Sequence, residues 1–305
     1  MHLILLSKSA RFYTVRRIVE AARLRGHTVR VIDPLQCELL LGASGARLFH
    51  KGRPFPRASL CLPRLVPSNL RHGLSILEQL ESGGVPSLNG SAAVARSRNK
   101  LRALQWLASH DVSVPSTILA TSVESISRMV AREGGGPVVL RLLRSGEREG
   151  VMICETEQSM NAALDALLRL GHGVMVQQYV REERGRDVRA LVVGGRVVAA
   201  ARRVPETGRI KRSLGHDAQF EKCALSLPVR QLAERAARLL ALDLASVDLL
   251  EAPSGVRVLE VNSAPSLKGI EGAVRQDLAT EIVLLAEARL RGETERSSMI
   301  SSSRG

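Results

Sequence analysis

The sequence predicts a mixed α/β (α+β) protein, with an open α/β lobe first and antiparallel sheet after it, and three observations carry that expectation. The chain begins strand, amphipathic helix, strand: an apolar run at His2–Leu6, Val15, Ile18, Val19 and Ala22 at helical spacing, then a second apolar run closing at Asp33-Pro34. Val188–Val193 and Arg196–Ala201 are joined by Gly194-Gly195, a two-residue loop suited to a hairpin. Ser246–Leu267 (SVDLLEAPSGVRVLEVNSAPSL) contains two further apolar strands around a Pro-Ser-Gly turn. At 305 residues the chain exceeds the usual size of one domain, so two or three lobes are expected.

Taken in order, Thr14–Arg25 ends as a helix at Gly26, and His27–Ile32 is the second strand. Strands within 57–65 lead to Arg64, and Leu74–Leu80 is helical. One helix is expected over Ser91–Ser109, carrying Lys100, and Val114-Pro115 opens the next strand. Pro137–Leu143 and Val151–Glu155 are strands flanking a charged connection, Arg144 to Gly150. Thr156–Leu170 is an amphipathic helix, and Val174–Val180 a strand. Pro228–Leu242 forms a long helix before the last hairpin, and Asp277–Leu290 a final one. Residues 291–305 are polar and serine-rich, and are expected to be disordered.

The net charge of +14 calls for an acidic partner, because a basic surface attracts phosphates and acidic peptides. Six of the 44 basic residues are lysine and the rest arginine, spread along the chain rather than gathered in a block. Aromatic residues at 2% argue against a single-strand nucleic-acid module, which relies on stacking platforms. No apolar run approaches the roughly 20 residues needed to cross a bilayer. MHLILLS is too short for a secretory core and is read as a strand. Cys37, Cys61, Cys154 and Cys223 lack any CxxC spacing, which suits free thiols in a reducing cytoplasm.

The chemistry gathers on the last hairpin. A three-residue loop, Pro253 to Gly255, with Ala252 opposite Val256 sets Asp248 across from Glu260, and Asn262 follows on the same face. Cross-strand carboxylates this close repel unless a proton or a cation lies between them. Three oxygen donors suit Mg²⁺ (or Mn²⁺), with substrate phosphates completing its shell. The alternative is a solvated strand with two ordinary surface acids. Val247, Leu249, Val258, Leu259 and Val261 oppose it, since they mark both strands as largely buried.

Asp248 followed by Glu260-Val261-Asn262 resembles the metal-binding end of the ATP-grasp ligases, specifically the RimK-type family that adds glutamate to a ribosomal protein. The likeness runs from Met1 to about residue 287, through SxxVARSRNKLRALQWLA, VMVQQYV, GRDVRALVVGGRVVAA and LALDLASVDLL. It implies two antiparallel-sheet lobes clamping ATP, at 91–172 and 173–290, after an N-terminal α/β lobe at 1–90. The reaction it implies is carboxylate–amine ligation through an acyl phosphate. The partners are a glutamate-like amino acid and an acidic peptide or protein acceptor, such as a ribosomal protein. The protein would work in the cytoplasm, away from membranes, and could form a homo-oligomer.

Carried over residue by residue, the resemblance gives Lys100, Arg141 and Arg203 to phosphoryl transfer. Backbone groups of Gln178, Tyr179 and Val180 are given to the adenine edge, and Asp187 to the ribose. Lys211, Arg212 and Ser213 form a loop at the phosphates and acceptor, and with Arg202 and Arg203 make a basic cluster. Arg64 and Asn89 fall near the acceptor or ligand. Each has a plain alternative: Lys100 a solvated lysine, Asp187 a loop aspartate, Arg64 a surface arginine. The chain also departs from the family at Arg141 for a lysine, Gln178 for an acid, Leu214 for an asparagine and Ala264-Pro265-Ser266 for Ser-Pro-Gly. The 144–150 flap holds Glu147, Arg148 and Glu149 where glycines are expected. Two rival readings follow from these departures and the charge: a nucleotide-binding regulatory module without ligase activity, and a basic ribosome- or RNA-associated protein.

Overall fold

The computed structural model describes residues 1–43, 45–143, 150–179, 187–204, 219–252 and 255–302. The chain opens with β1 (His2–Leu6), α1 (Tyr13–Leu24) and β2 (Thr28–Ile32). Next come β3 (Cys37–Gly42), β4 (Gly45–His50) and β5 (Arg53–Pro54), followed by β6 (Leu60–Pro63) and α2 (Leu70–Ser82). β1 pairs in parallel with both β2 and β6, the open α/β sheet expected from the opening pattern. β3, β4 and β5 form a separate antiparallel sheet absent from the sequence expectation. It is largely exposed, so little apolar alternation betrays it.

The expected single helix over 91–109 is two, α3 (Ser91–Arg98) and α4 (Lys100–Ala108). Asn99 causes the break: its extended backbone leaves the helix, and its Oδ1 accepts a hydrogen bond from the Arg102 amide at 3.0 Å, capping α4. Lys100 therefore stands in the first turn of a new helix rather than midway along a continuous one.

The middle of the chain supplies β7 (Thr117–Ala120), α5 (Val123–Arg132), β8 (Val138–Leu142), β9 (Val151–Cys154), α6 (Glu157–Arg169) and β10 (Val174–Gln178). They form an antiparallel sheet in the order β7-β10-β8-β9, with α5 and α6 packed on one face through Ile126, Val130, Met160 and Leu164. β10 hydrogen-bonds to β7 and β8, so residues 174–178 belong to this sheet. Ala93, Ala103 and Leu107 of α3 and α4 pack into the core of the following sheet instead. For α3 and α4 long-range packing overrides chain order.

That following sheet is built from β11 (Asp187–Val193), β12 (Arg196–Arg203), β13 (Phe220–Lys222), β14 (Leu244–Ala252) and β15 (Gly255–Asn262), ordered β13-β12-β11-β14-β15. Between β13 and β14 lies α7 (Leu227–Leu239), and α8 (Lys268–Val274) and α9 (Leu278–Ser302) close the chain. Gly194 and Gly195 join β11 to β12 with φ of 59° and 79°, the doubly left-handed turn that matches strand twist. α9 runs through the stretch expected to be disordered. No proline interrupts 291–302, and its Glu and Arg residues favour helix enough to continue it.

One face of this sheet carries Ala190, Val192, Val247, Leu249 and Val261 onto α7 and α4. The other face is divided. Leu191, Val193, Ala199, Ala201 and Leu244 share a core with Leu3, Leu5, Ile18, Leu60 and Leu62, so the N-terminal lobe is docked on that half. Asn89 holds the junction. Fully buried at φ 66°, it donates from Nδ2 to the Leu244 and Ser263 carbonyls at 2.7 and 2.9 Å and accepts from the Leu244 amide at 3.0 Å. Its side chain thus ties the backbone together at this junction. Asn89→Ala strands three buried backbone groups and places a less tolerant residue at positive φ, so it should cost about 3 kcal/mol in urea unfolding. A change below about 1 kcal/mol would contradict this role.

Candidate active site

The other half of that divided face is polar. Sequence alternation places Asp187 and Arg189 of β11, Arg203 of β12, Asp248 of β14 and Glu260 of β15 there, continuing the rows of Leu191, Ala201 and Leu244. Asp248 does pair with Glu260, though by another route than the loop arithmetic. Ala252 pairs with Gly255, not Val256, so the register starts one residue shorter. A bulge between Asp248 and Leu249, with Leu259 as the extra residue of β15, restores the expected pairing.

Three acids meet three cations on this face. Arg189 forks onto Asp248, with Nε–Oδ1 and Nη2–Oδ2 both 2.7 Å. Lys100 Nζ lies 3.7 Å from Glu260 Oε2, and Arg203 Nε lies 3.7 Å from Asp187 Oδ2. The Arg189 and Arg203 guanidiniums also stand over the Phe220 ring, at 5.4 and 5.7 Å. Burial by itself pushes the Asp248 carboxyl up. Arg189, with Arg203 and Lys100 behind it, more than reverses this and holds Asp248 below the ordinary carboxylate range. Arg189 is likewise desolvated, and Asp248, Glu260 and Asp187 hold its proton more firmly than usual.

The carboxylates therefore do not depend on a metal for their countercharge, which the protein itself supplies. What fits a divalent cation is the donor chemistry. Asp248, Glu260 and the Asn262 Oδ1 are hard oxygens at one end of a rigid hairpin, and Mg²⁺ needs only a few carboxylates beside phosphate and water. Among the described residues no group of three His, Cys, Asp or Glu side chains is placed to hold a metal, so the amide of Asn262 must complete the set. Glu260, a third exposed, is more open than Asp248. Asn262 Oδ1 already accepts from the Ala264 amide at 2.9 Å and from Arg98 Nη1 at 3.4 Å.

The remaining expected residues divide. Arg141 stands on β8 opposite Met175, its Nε and Nη1 buried. At the end of β10 the Gln178 amide donates to Ser116 O and the Tyr179 amide to Pro137 O, both at 3.0 Å. Those two N–H groups are taken up by the residues that lead into β7 and β8. Arg257 Nη1 reaches Gln178 Oε1 at 3.2 Å, tying the last hairpin to this strand. Arg202 alternates away from Arg203 and pairs with Glu251 at 2.7 Å. Val180, Lys211, Arg212, Ser213, Leu214, Glu147, Arg148 and Glu149 lie outside the described residues.

Arg98, which touches Asn262, was not singled out from the sequence; its proximity to Lys100 in Arg98-Asn99-Lys100 was the available signal. Ser263 was also missed, being an ordinary serine until Asn89 and the hairpin bring it inside.

This architecture, a four-stranded antiparallel sheet and a five-stranded one with acids and cations at the hairpin end, is that of the ATP-grasp enzymes. Comparison with known proteins agrees. A RimK-like ATP-grasp domain matches residues 97–285 and a RimK PreATP-grasp domain residues 1–94. The probable alpha-L-glutamate ligase of Aeromonas salmonicida is 36% identical over 289 residues, covering 95% of this chain and 97% of that one. The protein of the same description from Alkalilimnicola ehrlichii is 37% identical over 291 residues, covering 95% and 97%. Among solved structures, the RimK domain ATP-grasp protein of Sphaerobacter thermophilus superposes with a TM-score of 0.71 at 25% identity, covering 93% of this chain and 99% of that one. ATP-grasp ligase PsnB, complexed with a minimal precursor, Mg and ADP, shares the fold at a TM-score of 0.71 and 22% identity, over 95% and 98%. The chain belongs to the RimK-like ATP-grasp family. It is an ATP-dependent carboxylate–amine ligase.

Proposed function

We propose that this ligase joins the amine of glutamate, or of a closely similar amino acid, to a carboxylate of an acidic peptide or protein acceptor, with Mg-ATP as the energy source. The observation that carries the reading is the hairpin end, where Asp248, Glu260 and Asn262 offer oxygen donors beside Lys100, Arg189 and Arg203. The curated relatives described as probable alpha-L-glutamate ligases support the choice of amino acid. The net charge of +14 supports an acidic acceptor.

In the first half-reaction a carboxylate oxygen attacks the γ-phosphorus, and the bond from that phosphorus to the ADP oxygen breaks. The amine then attacks the acyl carbon, the carbon–oxygen bond to phosphate breaks, and the nitrogen loses a proton. Mg²⁺ held by Asp248, Glu260 and Asn262 would supply charge neutralisation at the phosphates. Lys100, Arg141 and Arg203 supply fixed positive charge where negative charge develops, the main service a protein renders in phosphoryl transfer. Asp187 is given to the ribose, and backbone groups of Gln178, Tyr179 and Val180 to the adenine. Lys211, Arg212 and Ser213 complete the acceptor side. The four cysteines are free thiols, which accords with a reducing cytoplasm.

The test is ADP release by purified protein with Mg-ATP, supplied with glutamate, with an acidic peptide pool, with both, or with neither. The expected result is release only when both substrates are present, with a product heavier than the acceptor by one glutamyl residue. ATP binding without acceptor-dependent product across broad pools of amino acids and peptides would overturn the reading.

A further inference from the structure

Arg64 follows β6 and is anchored there by its amide, which donates to Leu6 O at 2.8 Å. It is not the surface arginine of the plain reading. Only 7% exposed, it runs beneath the segment after β15 and donates from Nη2 to Pro265 O at 2.6 Å. Its Nε and Nη1 are buried and meet no acceptor among the described residues. Two more buried donors stand on the same two segments without an acceptor among those residues, Ser263 Oγ and Asn69 Nδ2. Ser263 is 1% exposed and lies two residues before Pro265.

A buried guanidinium is costly unless an anion faces it, and it cannot escape by losing its proton near neutrality. Burial, with Arg98 beside it, lowers the Arg64 pKa only to about 10. The charge acting on Arg64 is thus of its own sign. Arg98 in turn reaches Asn262, and Lys100, two residues on, reaches Glu260. The fold keeps two cations together at the edge of the reacting centre, on the side of the N-terminal lobe. An anion facing Arg64 is therefore on the substrate side, and a guanidinium fork matches a carboxylate in shape as well as charge.

We infer that Arg64, with Arg98 and Ser263, forms a carboxylate pocket that holds a substrate carboxylate beside the acyl-transfer centre and selects acidic substrates. The inference rests on the ligase reading above for the identity of its ligand. The carboxylate can come from the incoming amino acid or from the acceptor, and kinetics separate the two. In Arg64→Met the KM of the substrate held there should rise roughly 10- to 100-fold, the range for losing one charged hydrogen-bonding partner, with the KM for ATP unchanged. A rise confined to glutamate assigns the pocket to the amino acid, and one confined to the acceptor assigns it to the acceptor. Arg64→Lys should recover part of the loss, keeping charge without the fork. Ser263→Ala, a milder change, should shift the same KM in the same direction.

Glutarate, a dicarboxylate that cannot be ligated through an amine, gives a readout without turnover. Calorimetry on the full chain should show glutarate binding that Arg64→Met weakens at least 10-fold, while its melting temperature stays at or above that of the parent because an unmatched buried cation has gone. A parent that binds glutarate through Arg64 yet ligates nothing would keep the pocket and fault the ligase reading. Equal glutarate affinity and equal substrate KM values in a folded Arg64→Met protein and in Ser263→Ala would overturn the inference, leaving those donors to water.

Discussion

Glu260→Ala should abolish metal-dependent nucleotide affinity and lower kcat/KM for ligation by at least roughly 100-fold, while the protein melts within about 2 °C of the parent. The two effects separate because of where Glu260 sits. Its side chain is a third exposed and its ion pair with Lys100 is loose at 3.7 Å, so truncation removes little packing. Lys100 also retains the pull of Asp248. Yet Glu260 is the more open of the two carboxylates at the hairpin end, and a Mg²⁺ site left with Asp248, already forked by Arg189, and an amide has lost its readiest ligand. Calorimetric titration of Mg-ATP into the variant checks this, and parental affinity would remove the hairpin from the metal site.

Asp248→Ala should behave in the opposite way, losing stability as well as activity. Removing one partner of a buried, bidentate pair leaves Arg189 desolvated, at a cost of about 3–5 kcal/mol, or roughly a 10 °C drop in Tm for a chain of this size. Replacing both partners together, Asp248→Leu with Arg189→Met, should restore much of the stability and none of the activity. The pair also fixes a pH dependence. The folded Asp248 carboxyl lies below the unfolded value of about 3.9, so the folded state binds fewer protons in acid. Its contribution is fully present above about pH 5 and is lost as pH falls through the lowered folded value. Urea midpoints measured down this range should fall less steeply for Asp248→Asn than for the parent. Parallel slopes would show that another carboxylate governs acid unfolding.

Much of the architecture was legible because it is local. The strand–helix–strand opening, the Gly-Gly hairpin and most helices follow from periodicity and turn residues within a few positions. The exposed β3-β4-β5 sheet lacked that signal, and the break at Asn99 depends on a side chain capping a helix that, by periodicity alone, runs through. The hairpin shows both sides of the matter. Its Asp248–Glu260 pairing was correct from spacing, yet the assumed loop was one residue too long and a bulge at Leu259 made up the difference. Alternation of apolar residues selects which face each acid takes, while the turn alone cannot report a bulge farther along.

By itself, the sequence determined the order of elements, the acids of the last hairpin, and a resemblance spread over most of the chain, because each is written in residues near one another. Tertiary structure alone decided what those acids meet. Arg189 reaches Asp248 only because β11 pairs with β14, Lys100 reaches Glu260 because α4 packs behind β15, and α3 and α4 join the later sheet across the intervening one. It also decided that Arg202 meets Glu251, that Asn89 ties backbone at the lobe junction, and that Arg64 lies buried beside another cation. Charge on a side chain is a property of its residue type, but desolvation and the sign of its neighbours come from elements distant in sequence, and those set what the charge can do.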